Sequence, residues 1–275
     1  MNTLPQDFFG RIVFIIQKYG FTLLEGAGTT LIIAVIGTIV GCLIGFFVGV
    51  IQTIPISKKD NILKQIFLKL VKILLDIYVE VFRGTPMMVQ AMFIFYGSAI
   101  MFNIRMDMWT AAYFIVSINT GAYMAETVRG GILSIPEGQT EGAMAIGMTH
   151  FQTMLYVIIP QALRNIMPQI GNNLIINIKD TCVLSSIGVV ELFFATKTVS
   201  GAYYTVFEAY SITMVIYLVM TVFFSKLLRF FEKKLNGPKD YSLSTTDTLA
   251  YTSGMLKYPD KENHYEWNYK SRTFK

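Results

Sequence analysis

The sequence predicts an all-α membrane protein with about five transmembrane helices. Of its 275 residues, 53% are hydrophobic and only 15% are charged, and the mean hydropathy is +0.50. Long stretches carry no charged side chain at all, which is typical of segments that lie in lipid and not of soluble domains. These observations predict the fold class, and the positions of the charge-free stretches predict the individual spans.

Four charge-free stretches and one polar stretch are the predicted spans. The first lies within residues 26–57, which exceed the ~20 residues needed to cross a bilayer. Residues 84–104, 108–125 and 209–225 are also free of charge and close to spanning length. The remaining candidate, residues 160–181, contains several amides and charges. A span of that polarity is expected to face other helices or water rather than lipid.

The basic residues predict how the chain is oriented. They gather after the first span and at the end of the last one: Lys58, Lys59, Lys64, Lys69, Lys72, Lys226, Arg229, Lys233 and Lys234. Because Lys and Arg accumulate in cytoplasmic segments, both regions are expected to face the cytoplasm. With five spans, the N-terminus lies outside, the C-terminus inside, and residues 129–160 in the cytoplasm. The net charge of +5 therefore reflects topology and does not indicate nucleic-acid binding.

The cytoplasmic stretch predicts two helices joined by a turn. Ser134 and Glu137 have the spacing of a capping box, which begins a short helix. Gly147 suits the left-handed position that ends it. Thr149 and Gln152 form a second capping-box pattern, which begins the helix that leads back into the membrane.

A DNA-binding helix-turn-helix has similar local spacing, but it needs a hydrophobic core of its own. A short segment wedged between two spans cannot supply that core, so we discard this alternative. The chain also contains no GxxxxGK[ST] phosphate-binding loop. It is therefore not expected to hydrolyse nucleotide with such a phosphate-binding loop.

A polar side chain recurs at every fourth position along the polar span: Gln161, Asn165, Gln169, Asn173, Asn177 and Thr181. Positions four apart drift by about 40° around a helix, so these side chains form a slowly winding stripe. Exposure of these polar side chains to lipid would cost free energy, so the stripe should face the helix bundle or a water-filled path. The stripe has two alternative roles, which are hydrogen bonding between helices and contact with a substrate.

Charged residues provide further candidates for a substrate pathway. Lys179 and Asp180 are adjacent near the predicted outer end of the polar span, and for Asp180 we favour a gating or structural role. Glu126 directly follows the predicted third span and stands three residues before Arg129, so a local ion pair is the favoured interpretation. Glu80 and Arg83 have the same spacing.

The chain divides into three predicted regions. Residues 1–20 form an extracytoplasmic N-terminal segment, and residues 21–235 form the transmembrane domain. Residues 236–275 are polar, rich in Ser, Thr and Tyr, and without periodic apolar faces. They are expected to be a disordered cytoplasmic tail.

Four ordered motifs resemble one family of membrane proteins. EGAMAIG at 141–147, followed by VIIP at 157–160, resembles the Glu-Ala-Ala…Gly…Ile-x-Leu-Pro loop of ABC importer permeases. The segment 161–188, QALRNIMPQIGNNLIINIKDTCVLSSIG, is similar to the polar-amino-acid subfamily, as are EVFRGTPMMVQ at 80–90 and GAYMAETVRGGILSIPEGQ at 121–139. The resemblance covers roughly residues 20–235.

Two positions depart from the family pattern: Gly142 replaces the usual second Ala of the loop, and Cys182 replaces the usual Ser. In the family this loop is a coupling helix that docks on an ATP-binding subunit. The resemblance implies that role for Glu141, Gly142, Ala143 and Gly147. Small side chains would allow close approach, Glu141 would offer a charge to the partner, and the glycine corner would orient the following span.

The resemblance implies an inner-membrane permease subunit of a bacterial ABC importer for polar amino acids, and not an enzyme. It implies no cofactor or metal on this chain, with ATP and magnesium on two partner ATP-binding subunits. Other implied partners are a second copy or a sister permease and an extracytoplasmic substrate-binding protein or domain. Candidate pathway residues are Gln169, Asn173, Asn177, Lys179, Asp180 and Glu126. A non-transporting receptor or scaffold is one alternative, and a secondary transporter is another, although no internal repeat is visible.

Overall fold

The computed structural model describes residues 4–56 and 61–236, and these ranges contain helices and no strand. The predicted disordered tail lies outside the described residues except for Asn236, which ends the last helix. The helices are, in order, α1 Phe8–Thr53, α2 Ile62–Gly84, α3 Met87–Phe102, α4 Met108–Leu133, α5 Glu137–Ala145, α6 His150–Thr153, a π-helical turn Met154–Ile158, α7 Ile159–Asp180, a 3₁₀ helix Thr181–Ile187, α8 Leu192–Tyr203 and α9 Val206–Asn236.

Helix α1 is 46 residues long and begins where the Asp7 side chain accepts the Gly10 N–H at 2.6 Å. The region boundary predicted after residue 20 falls inside this unbroken helix. Ile15, in the predicted N-terminal segment, is completely buried with residues of α8 and α9. Residues 8–20 therefore fold together with the helices that follow, while their extracytoplasmic location stays a prediction.

Glycines on one face of α1 allow its backbone to lie against α4. A Cβ atom at any of them would collide with α4 atoms; these glycines are Gly37, Gly41, Gly45 and Gly49. At Gly41 that Cβ would lie 2.5 Å from the Thr120 Cβ and 2.9 Å from the Ser117 carbonyl oxygen. Small residues four apart permit such close helix packing in membranes. The α1–α4 contact is the most extensive helix pair in the described residues.

The break between α2 and α3 is held by two buried amides. Pro86 begins α3 and has no N–H, so carbonyls around the break lack helical partners. The Gln90 Nε2 donates to the carbonyls of Phe82 at 2.9 Å and Thr85 at 2.8 Å. The Asn119 Nδ2 of α4 donates to the Gln90 Oε1 at 2.9 Å. The kink is therefore hydrogen-bonded and anchored to α4.

The capping box predicted for Ser134 and Glu137 is wrong. Helix α4 continues to Leu133, and Ser134 ends it in a helical conformation, with its hydroxyl donating to the Gly131 carbonyl. Pro136 stands at the start of α5 without a side-chain cap. A sequence pattern three residues long cannot tell the end of one helix from the start of the next.

The other two predictions for this stretch are confirmed. Gly147 has φ of +87°, the left-handed conformation expected after α5. Thr149 and Gln152 form a complete capping box at the start of α6. Helix α6, the π-helical turn and α7 then follow one another directly from His150 to Asp180.

Glu191 joins three helices near the other end of α7, and the sequence analysis did not identify it. Its completely buried carboxylate accepts the N–H groups of Phe193 and Phe194 at 2.8 and 2.7 Å, which caps α8. The hydroxyls of Thr30 in α1 and Tyr217 in α9 also donate to it, at 3.5 and 3.2 Å. The signal in the sequence is a single acid within an apolar run, GVVELFFA.

By length and composition, two helices in the described residues are apolar enough to cross a membrane: α1 and residues 206–231 of α9. A third span results if the helical run 150–187 and α8, which are bent by 56°, are counted together. Helix α3 is apolar but has only 16 residues. Polar residues lower the hydropathy of α4 and α7, so the five-span count stays a prediction.

We predict that Gly41→Ala destabilises the protein, because the added methyl group meets the Thr120 side chain and the α4 backbone. Such overpacking costs about 1–3 kcal/mol. Gly28→Ala is the matched control, since nothing lies within 4 Å of a Cβ at Gly28. The thermal midpoint of the purified protein in detergent should fall for Gly41→Ala only. Equal midpoints for the two variants would refute the close α1–α4 contact.

Candidate functional site

Helix α7 exposes one polar face. Its members are Asn165, Gln169, Asn172, Lys179 and Asp180, all of which are exposed, and we call them the α7 polar face. At 100° per residue they fall within a sector of about 100°. An exposed row of amides and charges is costly against lipid. This face is therefore suited to a water-filled path or to a polar partner.

The predicted polar stripe divides into two parts. Asn165 and Gln169 lie on the exposed face, whereas Asn173, Asn177 and Thr181 are buried. The cause is the drift of about 40° per four residues, which carries later members of the stripe around to the packed side. Asn172, which the stripe omits, takes their place on the exposed face.

The buried amides of α7 hydrogen-bond to neighbouring helices. The Asn177 Nδ2 donates to the hydroxyls of Thr38 in α1 at 2.8 Å and Thr120 in α4 at 2.9 Å. The Asn173 Nδ2 lies 3.1 Å from the Met124 sulfur of α4. These contacts support the helix-packing alternative. Substrate contact by Asn173 and Asn177 is the alternative, and the uptake measurement on Asn177→Leu proposed below tests it.

Glu126 belongs to a cluster that joins α4 to α2. The Arg129 Nη2 lies 2.5 Å from its Oε1, which is the local ion pair that the sequence predicts. The Arg83 Nη1 lies 3.6 Å from the Glu126 Oε2, and the guanidinium stacks over the Tyr123 ring at 5.8 Å. Arg83 of α2 therefore forms an ion pair with Glu126 of α4, whereas the sequence spacing suggested a pair with Glu80. Glu126 and both arginines are partly exposed.

This cluster and the α7 polar face border the same surface. Ser134 of α4 accepts a hydrogen bond from the Asn165 Nδ2 at 3.2 Å, so the two helices are neighbours there. Tyr123 and Gly130 are exposed and share the face of α4 on which Ser134 lies, while Glu126 is at the far edge of that face. The exposed face of α4 that carries Tyr123 thus lies beside the α7 polar face at Ser134 and has Glu126 at its far edge.

The predicted coupling residues occupy α5 and its end. Glu141 and Gly142 are exposed, and nothing lies within 4 Å of a Cβ placed at Gly142. Ala143 is 6% exposed and faces the protein, so its small side chain serves packing within this chain. Gly147 supplies the left-handed corner. Exposed apolar side chains that the sequence analysis missed surround this element: Met144, Ile146 and Phe151.

A π-helical turn connects this element to α7. Residues 154–158 widen the helix just before Pro160, which has no N–H to bond the carbonyl of Tyr156. Helix α5 also contacts α7 directly, because the Gln161 Nε2 donates to the Gln139 Oε1 at 3.4 Å. Helix α5 is thus joined to the α6–α7 run by the short turn 146–149 and by this side-chain contact.

Comparisons with known proteins agree with one another. Residues 62–237 match the model of the family described as binding-protein-dependent transport system inner membrane component. The glutamine transport system permease protein GlnP of Escherichia coli K12 is 38% identical over 214 residues, which cover 78% of this chain and 92% of GlnP.

Solved structures show the same fold. A chain in the crystal structure of an amino acid ABC transporter with histidines is 35% identical, with a TM-score of 0.71 over 84% of this chain and 99% of that chain. A chain of the MetNI methionine ABC transporter in an inward-facing conformation is 20% identical, with a TM-score of 0.60 over 78% and 94% of the two chains. The second similarity concerns the fold alone.

We predict that Asn177→Leu lowers the thermal midpoint, because it leaves the buried hydroxyls of Thr38 and Thr120 without their shared amide. A lost buried partner costs about 1–3 kcal/mol. Asn172→Leu makes the same chemical change on the exposed face of the same helix and should leave the midpoint nearly unchanged. Thermal unfolding of both detergent-solubilised variants measures this. A larger loss for Asn172→Leu would contradict the division of α7 into packed and exposed faces.

Proposed function

The chain belongs to the family of binding-protein-dependent transport system inner membrane components, and from this premise we propose that it moves polar amino acids inward along the α7 polar face. It is a permease subunit of an ABC importer. It is not itself an enzyme, because ATP hydrolysis in these transporters belongs to separate subunits. The exposed α7 polar face, beside the face of α4 that has Glu126 at its edge, is the observation that carries the proposed path.

The proposed topology has five spans, in α1, α3, α4, α7 and α9, within the bacterial inner membrane. The N-terminus lies outside, the C-terminus inside, and residues 129–160 face the cytoplasm. The clusters of Lys after α1 and at the end of α9 support this direction. The bonds from the Gln90 Nε2 to the carbonyls of Phe82 and Thr85 support α3 as a span, since they satisfy the broken backbone beside Pro86.

The proposed partners act on opposite sides of the membrane. Two ATP-binding subunits, which carry ATP and magnesium, dock on α5 in the cytoplasm through Glu141, Gly142 and the exposed Met144 and Ile146. A substrate-binding protein or domain delivers the amino acid outside. A second copy of the chain or a sister permease completes the path, because the α7 polar face is open on this chain.

We infer the substrate class from the side chains of the α7 polar face and from the related proteins. GlnP is a glutamine permease protein, and the solved amino acid transporter contains histidines. A zwitterionic amino acid carries an ammonium and a carboxylate group, and the α7 polar face offers Asp180 and Lys179 as counter-charges. Gln169 and Asn172 supply amide donors and acceptors. Glu126 is a further candidate at the edge of the path, where it is paired with Arg83 and Arg129.

The two alternative functions, a non-transporting receptor or scaffold and a secondary transporter, are not favoured. A non-transporting receptor or scaffold has no use for a coupling corner at Gly147 joined to a span by a continuous helix. A secondary transporter would not belong to a family whose members work with a binding protein and ATPase subunits. The retained function is transport driven by ATP hydrolysis on partner chains.

We predict that Asn172→Leu changes amino-acid uptake by the full complex in vesicles. Loss of one amide from the path should raise the apparent KM for uptake or reorder the competing proteinogenic amino acids. Asn177→Leu, measured at a temperature where it stays folded, should keep the wild-type ranking, because its amide bonds only to Thr38 and Thr120. If Asn177→Leu changes the ranking of the competing amino acids and Asn172→Leu does not, the α7 polar face is not the substrate path.

We predict that Gly147→Val impairs coupling, because a β-branched residue resists φ of +87°. Such strain costs on the order of 1–3 kcal/mol and should turn α5 away from its partner. Substrate-stimulated ATP hydrolysis by the assembled complex should fall severalfold. Gly138→Ala, where nothing lies within 4 Å of the added Cβ, is the control. Full stimulation in a well-assembled Gly147→Val complex would show that the corner does not transmit motion.

A further inference from the structure

A cavity of about 180 Å³ lies beside α5. The ends of α1 and α4, the first turn of α5, helix α6 and the π-helical turn surround it. Part of its wall is apolar and includes Ile132, Met154 and Ile158. The rest is polar and consists of Thr53, Glu137, Thr140, His150 and Thr153. Among the described residues that line it there is no Lys or Arg.

Thr153 brings an unpaired hydroxyl to this cavity. The residue is 1% exposed, and its Oγ1 has no hydrogen-bond partner in the described part of the chain. The Thr53 hydroxyl, in contrast, donates to the Val50 carbonyl at 2.8 Å. A buried hydroxyl without a partner costs free energy and is rare in folded proteins. The Thr153 hydroxyl therefore points to a group from outside the chain that enters the cavity.

Glu137 places a carboxylate at the exposed side of the cavity. It is exposed and forms no ion pair within the described residues. At 100° per residue, Glu137, Thr140, Glu141 and Met144 fall within a sector of about 100° on α5. Glu141 and Met144 are exposed and belong to the surface on which the ATP-binding subunit is proposed to dock. A subunit docked there also lies next to Glu137 and the cavity.

We propose that the cavity receives an Arg or Lys side chain of the ATP-binding subunit. The apolar stem of that side chain lies along the apolar wall, and its N–H groups donate to the Glu137 carboxylate and the Thr153 hydroxyl. Charge decides this occupant, because the cavity offers a carboxylate and hydroxyls without a competing Lys or Arg. The proposal rests on the proposed docking of that subunit on α5 and adds a contact separate from Glu141.

Thr153→Val tests the contact at the buried hydroxyl, because it keeps the shape of the side chain and removes the Oγ1. The thermal midpoint of the permease alone should stay the same or rise, since this hydroxyl has no partner to lose. The affinity for the purified ATP-binding subunit should fall about tenfold, as expected when a hydrogen bond to a charged group is lost. Thr198→Val, at an exposed threonine of α8, is the matched control and should leave that affinity unchanged.

Charge reversal at Glu137 identifies the occupant. Glu137→Lys should weaken assembly with the ATP-binding subunit, whereas Glu25→Lys, at an exposed acid of α1, should not. Each Arg and Lys of the ATP-binding subunit is then changed to Glu in turn. One of these changes should restore assembly with Glu137→Lys. The same change should not restore assembly with Glu141→Lys, because the two acids contact different residues of the subunit.

Three results would overturn the proposal. Unchanged affinity in Thr153→Val means that the cavity holds water or a small molecule instead of a subunit side chain. The same restoring change for Glu137→Lys and Glu141→Lys means a general charge effect on α5. Absence of any restoring change means that the occupant is not basic. If the wild-type permease binds the ATP-binding subunit, each of these results rejects the cavity contact alone; if it does not, the proposed transport function fails as well.

Discussion

The close approach of α1 to α4 is the constraint on which the rest of the structure depends. Two helices whose backbones touch need glycine along the contact, and α1 supplies it from Gly37 to Gly49. The other helices are positioned by this pair. Asn177 of α7 bonds to Thr38 and Thr120, one from each member, and the Tyr78 hydroxyl of α2 donates to the Ile118 carbonyl at 2.6 Å. A wider α1–α4 spacing would separate Thr38 from Thr120, so that Asn177 could not bond to both.

Most buried polar side chains in the described residues are paired, although the side-chain oxygens Gln52 Oε1, Thr153 Oγ1 and Thr205 Oγ1 have no partner. The path that we propose uses polar groups outside this packing. Asn177, Gln90 and Glu191 each bond to more than one helix or to a break in one. Removal of any one would leave its partners unsatisfied in a region without water. The amides and charges of the α7 polar face are exposed instead. We propose that these exposed side chains, which are not buried between helices, are the ones that bind a substrate.

The proposed coupling element is followed closely by the helical run that contains the proposed path. Gly147 turns the chain after α5, Thr149 starts α6, and the run continues through the π-helical turn into α7. We propose that a displacement of α5 by a partner reaches the α7 polar face across the four-residue turn 146–149. The π-helical turn before Pro160 is the place where that run departs from α-helical geometry.

Local patterns in the sequence determined the helical class, the glycine corner at Gly147, the Thr149 capping box and the motifs that reveal the family. Each depends on residues within a few positions of one another. Tertiary structure alone decided which amides of α7 are buried, that Ser134 ends α4, that Arg83 pairs with Glu126, and that Glu191 joins α1, α8 and α9. These outcomes depend on which helices are neighbours and on how each is rotated. A rotation of 40° moves Asn173 from an exposed face to a packed one, and no local pattern sets that angle.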